Sequence, residues 1–176
     1  MLSMETSVLH EVESIIDTLR ERGEQVSTME SCTAGLLATM LTNVSGSSDV
    51  LKESAVTYSN EAKVKAGVSQ DIIDTYGVYS IETAVAMAEA RLATTTATWG
   101  IGVTGTLGNY DKENKDSQIG VVYYAIAGKG EAKASCMKIP DHITSRFAQK
   151  EYVANTIIHV FKLALEATSP TVKGFS

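Results

Sequence analysis

Gln25-Val26-Ser27-Thr28-Met29-Glu30-Ser31-Cys32-Thr33-Ala34-Gly35 reads as a short strand that hands over to a helix. The strand is expected over Gln25–Met29 and the helix over Thr33–Val44, with Leu36, Leu37, Met40 and Leu41 on its buried side. Two dozen residues on, Thr57-Tyr58-Ser59-Asn60-Glu61-Ala62-Lys63 follows a second short strand over Ser54–Tyr58. Asn60 is expected to cap a short helix that runs through Lys65 and ends at Gly67. Strand, helix and strand in this order point to an α/β architecture.

The flanking sequence extends the pattern. Val8, Val12, Ile15, Ile16 and Leu19 recur at helical spacing, and Gly23 closes that helix. Ser69 is expected to cap a short helix ending near Gly77. Ser80 caps a longer one whose buried face would hold Ile81, Val85, Ala88 and Leu92. Strands are expected over Trp99–Val103, Ile119–Ile126 and Ala132–Ile139, the last two joined by the hairpin signal Gly128-Lys129-Gly130. A final helix covers about Thr144–Ala167, with Phe147, Ala154, Ile157, Ile158, Phe161 and Leu165 as its apolar stripe, and the tail from Ser169 is expected to fray. The fold class is therefore α/β: a layered α/β/α sandwich with a mixed sheet, in one domain whose core spans about residues 8–167.

Bulk properties narrow the function. The 176 residues are 44% hydrophobic and 20% charged, with a formal net charge of −6 and a pI near 5.1. An acidic balance disfavours nucleic-acid binding, which uses a basic face. No apolar run approaches the ~20 residues that span a bilayer, and the start lacks signal-peptide character. A cytoplasmic location is the expectation. Cys32 and Cys136 fit free thiols better than a disulfide there. Three histidines without a cluster argue against a metal site, and no cofactor is expected.

Ser31 stands where unpaired amides of a first helical turn would gather. Such a place suits a phosphate or the oxyanion of a tetrahedral intermediate. A serine there is equally what a plain helix cap needs. Lys63 has a parallel pair of readings. It is a solvated surface lysine, or a general base whose proton is loosened by burial.

These segments resemble the CinA C-terminal domain family. Its pattern has Glu-Ser-Cys-Thr-Gly-Gly, a Pro-Gly-Ala-Ser loop and Val-Thr-Tyr-Ser-Asn-x-x-Lys. Here Glu30–Gly35, Gly46-Ser47-Ser48 and Val56–Lys63 stand at the expected separations. Gly77-Val78-Tyr79-Ser80, Thr104-Gly105, Gly120-Val121-Val122-Tyr123 and Arg146 with Lys150 match further motifs in order. The resemblance covers roughly residues 8–167 and implies a C-terminal domain standing alone.

It also implies an activity: hydrolysis of the carboxamide of nicotinamide mononucleotide to nicotinic acid mononucleotide and ammonia. On that analogy Ser31 attacks, Lys63 takes and returns the proton, and Tyr58 holds one of them. Amides of Cys32, Thr33, Ala34 and Gly35, or of Thr104 and Gly105, would hold the oxyanion. Glu30, Gly46, Ser48 and Asn60 complete the expected substrate site. Arg146 is a candidate for the phosphate, with an ion pair to Glu151 or Asp141 as the alternative. Cys32 is read as a small pocket residue, although a thiol at a helix start can be a nucleophile. Family members are often homo-oligomers, and the Val121–Ile126 strand with its hairpin could serve a dimer.

Three positions depart from the pattern. Ala34 replaces glycine, which is mild in a helical conformation and obstructive at positive φ. Met29 replaces a small residue. Thr106–Asp116 replaces a proline- and glycine-rich loop with a charged one. A silent nucleotide-binding or regulatory paralogue, or an amidase or esterase for another substrate, are the competing readings.

Overall fold

The structure is a computed structural model that describes residues 6–115 and 117–168. Its centre is one five-stranded sheet in the order β2-β1-β3-β4-β5. The strands are β1 (Val26–Glu30), β2 (Ala55–Val56), β3 (Trp99–Gly105), β4 (Val121–Gly128) and β5 (Glu131–Lys138). β1 pairs in parallel with β2 and with β3, whereas β4 runs antiparallel to both β3 and β5, so the sheet is mixed. Helices cover both faces, as the sequence pattern requires.

On one face lie α1 (Thr6–Arg22), α2 (Leu36–Thr42), the single turn α3 (Ser47–Val50) and α7 (Arg146–Glu166). Val12, Ile15, Ile16 and Leu19 of α1 meet Ile157, Ile158 and Phe161 of α7 in the main core. α1 stops where expected: the Gly23 and Glu24 amides donate to the carbonyls of Arg20 and Leu19, the paired closure of a helix C-terminus. Ser145 caps α7 through the Ala148 amide. Phe147, expected on the apolar stripe, is instead exposed on the first turn, ahead of the segment that meets the sheet.

The other face carries α5 (Gln70–Tyr76) and α6 (Ile81–Thr94), reached through α4 (Asn60–Lys65). Ser80 caps α6 as read from the sequence. The Ser69 side chain makes no cap hydrogen bond. The buried face of α6 is turned from the expected one. Ile81 is exposed, Val85 and Leu92 are half-buried, and Thr83, Ala84, Met87, Ala88 and Arg91 face inward. The reason is a backbone-to-backbone approach. A Cβ on Gly100 would lie 2.0 Å from the Ala88 carbonyl oxygen, and one on Gly102 2.2 Å from that of Ala84. Helix and strand can meet that closely only with glycine on one and small side chains on the other.

Two further details place the site. Arg91, buried beneath α6, donates to Ser27 Oγ at 2.9 Å and to Glu53 at 2.7 Å, and Ser27 donates to the Glu53 carbonyl. These bonds fasten the approach to β2, which has only two residues where five were expected. β4, expected as a possible dimer face, is interior to the sheet and mostly buried, while β5 is an edge strand with most of its residues exposed. Among the described residues, no helix is long and apolar enough to cross a membrane.

Candidate active site

β1, β2 and β3 all point their carboxyl ends at one cleft. β1 lies between β2 and β3, so the chain's connections depart to opposite sides at this edge, the place where α/β sheets open a crevice. The cleft has a volume near 500 Å³. Ser31 follows β1, Tyr58 follows β2 and Gly105 ends β3, and all three line it with Cys32, Asn60, Lys63 and Arg146. A Cβ at Gly105 would stand 2.6 Å from the Val121 carbonyl oxygen, so that wall admits no side chain.

The helix start beside Ser31 is not an open anion site. The Glu30 carboxylate, fully buried, accepts from the amides of Gly35, Leu37 and Ala38 and from the hydroxyls of Thr28 and Thr33. It fills the role that the sequence reading gave to an incoming anion. Glu30 and Thr33 are therefore internal cap residues rather than part of the cleft lining. The helix begins three residues later than expected because Ala34 (φ 52°) and Gly35 (φ 89°) are both left-handed. Alanine here is the obstructive case.

The amides nearest the serine divide clearly. Ser31 N–H donates to the Val103 carbonyl and Ala34 N–H to the Ser31 carbonyl. Those of Cys32 and Thr33 have no backbone carbonyl acceptor among the described residues. Burial pushes the Cys32 thiol up to about 12, so it stays protonated at neutral pH.

Lys63 sits on α4, is 1% exposed, and points inward. Its Nζ donates to the Thr57 carbonyl at 2.9 Å and to Ser31 Oγ at 3.3 Å. Burial lowers its pKa to about 8, against the opposing pull of the Asp111 carboxylate. Ser59, not Asn60, caps α4 through the Ala62 amide. Asn60 uses its side chain elsewhere, donating to Asn114 Oδ1 at 3.1 Å.

Tyr58 does not reach the pair. Its hydroxyl accepts from Arg146 Nη2 at 3.1 Å, 60% exposed at the rim. Arg146 makes neither expected ion pair, to Glu151 or to Asp141. The group that orients Lys63 is the Thr57 carbonyl, which no side-chain pattern could reveal.

Other expected residues lie outside the cleft lining. Thr104 is buried and donates to the Val78 carbonyl at 2.9 Å. Gly46 caps α3 against the Arg20 side chain, and Ser48 is exposed beside Lys52. The charged loop after Gly105 does line the cleft, with Asn109, Tyr110, Asp111, Glu113 and Asn114. Its last expected residue, Asp116, lies outside the described residues. Among the described residues no three His, Cys, Asp or Glu side chains gather as a metal site.

Known proteins share this fold. The family model for the CinA C-terminal domain matches residues 9–162. A "CinA-like protein" of Desulforapulum autotrophicum is 42% identical over 113 residues, 64% of this chain and 26% of that protein. One of the same name from Anaeromyxobacter sp. (strain K) is 37% identical over 123 residues, 69% of this chain and 30% of its own length. The chain thus spans only about a quarter to a third of the curated relatives it matches. Among solved structures, the competence/damage inducible protein CihA from Agrobacterium tumefaciens has a TM-score of 0.83 at 30% identity, covering 94% of this chain and 99% of that one. A competence damage-inducible protein from Klebsiella pneumoniae, 21% identical with a TM-score of 0.84, covering 92% of this chain and 99% of that one, shares the fold.

Proposed function

Because the chain belongs to the CinA C-terminal domain family, we propose that it is an amidohydrolase that converts nicotinamide mononucleotide to nicotinic acid mononucleotide and ammonia. The observation that carries this reading is the 3.3 Å contact between Ser31 Oγ and a buried Lys63 amine whose proton is loosely held. A hydroxyl becomes a nucleophile when a base within hydrogen-bond reach has a pKa near the working pH.

Ser31 Oγ attacks the carboxamide carbon as neutral Lys63 takes its proton. The amides of Cys32 and Thr33 receive the developing oxyanion. The tetrahedral adduct breaks its C–N bond, and Lys63 returns the proton to the departing ammonia. Water, deprotonated by the same amine, then opens the acyl-enzyme, releasing the carboxylic acid and free Ser31. Arg146 holds the phosphate, with Tyr58 steadying its guanidinium. The protein needs no cofactor for these steps, and we place it in the cytoplasm as a homo-oligomer.

A second reading rests on one specific feature. The Asn60–Asn114 hydrogen bond ties the charged loop to the helix that bears Lys63, which suits a nucleotide-binding paralogue that no longer turns over. Ammonia release from nicotinamide mononucleotide decides between them. Turnover by wild type that Ser31→Ala and Lys63→Ala both abolish supports the enzyme. Tight nucleotide binding without ammonia supports the paralogue.

A further inference from the structure

Arg146 and Asp111, side chains of opposite charge, both line the cleft. Arg146 has the Tyr58 hydroxyl as its hydrogen-bond partner. Asp111 is held by more donors. Its Oδ2 accepts from the Tyr79 hydroxyl and from Asn114 Nδ2 at 2.7 Å, and its Oδ1 from the Glu113 amide at 2.9 Å. Its own amide donates to Ser117 Oγ at 3.2 Å.

Burial alone would raise the Asp111 pKa, but the bonds from Tyr79 and Asn114 outweigh it and hold the carboxyl below its usual range. The group is thus an anion at any working pH. It is near enough to Lys63 for its charge to be felt there. Tyr79 and Tyr110 line the same cleft and offer aromatic surface beside the charge.

A ligand that satisfies both charges carries a phosphate for Arg146 and a flat cation for Asp111. We propose that Asp111 is a specificity residue that receives the positively charged ring of the substrate, so that the cleft selects amides on a cationic ring over otherwise identical neutral ones. This rests on the amidohydrolase reading above and deepens it. A carboxylate fixed by donors before the ligand arrives loses little on binding, which is how such a group gains selectivity. Glu61 and Glu113, exposed on the same cleft, add negative potential.

The test compares nicotinamide mononucleotide with its reduced dihydro form, which keeps the carboxamide, ribose and phosphate but has an uncharged ring. The ratio of kcat/KM for the two is measured in wild type, Asp111→Asn and Asp111→Glu, each checked for folding by circular dichroism and thermal melting. Differences in intrinsic reactivity cancel when ratios are compared between variants. Asp111→Asn lowers the preference for the charged ring about tenfold, chiefly through KM. Asp111→Glu restores most of it, and added salt narrows the preference in wild type more than in Asp111→Asn. An Asp111→Asn variant that loses equally on both substrates, or on neither, overturns the assignment.

A wild type that hydrolyses neither nucleotide sinks the amidohydrolase reading instead. Equilibrium binding of the same two nucleotides to the same three proteins then decides the role of the carboxylate. A Kd ratio that Asp111→Asn leaves unchanged overturns it.

Discussion

The Lys63 amine reaches the Ser31 hydroxyl at 3.3 Å from a position with almost no contact with water. Nearness and dryness have one cause: three residues after β2 the chain enters α4, which turns its lysine inward to the serine that follows β1. The amine is thereby both in place and easily deprotonated, the two conditions for a general base.

A pH–rate profile is the first consequence. Roughly a tenth of a group with a pKa near 8 is neutral at pH 7. We expect kcat/KM to rise about tenfold per pH unit below that value and to level off above it. A profile flat between pH 6 and 9 would exclude Lys63 as the base.

Stability should follow the same proton. The folded pKa of Lys63 is about 8 against an ordinary value of 10.5. Between those values the unfolded chain binds more protons, so stability rises with pH across the window. The penalty is full below about pH 8 and absent above 10.5. Lys63→Met removes at most ~3 kcal/mol of it at pH 7, less what the stranded Thr57 carbonyl loses. Denaturant unfolding at pH 7 and pH 10 should show the pH rise in wild type and not in the variant, which the proposed mechanism expects to be inactive.

Ala34→Gly should stabilise the protein. A left-handed alanine costs about 1–2 kcal/mol, of which glycine recovers part despite its greater freedom when unfolded. A gain of about 0.5–1 kcal/mol is expected, and a midpoint unchanged in denaturant would show that the turn is unstrained.

Glu30→Gln should do the reverse. An amide cannot accept from three backbone N–H groups and two hydroxyls at once, so buried donors are left unpaired, at about 2–4 kcal/mol. Activity should fall with it, because the same residues shape the turn that carries Ser31. A variant as stable as wild type would mean that water replaces the missing acceptor.

Tyr58→Phe separates rim from centre. With its hydroxyl on Arg146 rather than on the dyad, the expected effect is a KM several-fold higher at a kcat close to wild type. Cys32→Ala should likewise keep turnover, since its thiol stays protonated. Loss of all activity in a folded Cys32→Ala would make the thiol the nucleophile.

The frame of the molecule was readable because each layer announces itself by period: α1 by Val8, Val12, Ile15, Ile16 and Leu19, the β4–β5 hairpin by Gly128-Lys129-Gly130. The α6 face was misjudged because its contact with β3 is made by backbone, and Ala84 and Ala88 weigh little on any apolar scale. At the site, Ser31 and Lys63 were visible as side chains. The Thr57 carbonyl that steers Lys63 belongs to no residue type. Glu30 looked like a ligand group only because the sequence hides that its carboxylate folds back onto the next helix. The position of Asp111 depends on Tyr79, thirty-two residues earlier, a pairing no local pattern carries.

The proposed nucleophile and base are held in very different ways. Ser31 is locked by its own neighbours, with β1 between two strands and Glu30 stapling the turn, whereas Lys63 hangs from β2, a strand with just two ladder pairs at the sheet's edge. Segments with few ladder bonds open before the whole molecule does. On warming, the 55–65 segment therefore lets go first, and Lys63 meets water and regains a tightly held proton. Heat inactivation will precede melting and reverse on cooling, so the working temperature of the protein is set by its shortest strand and not by its core.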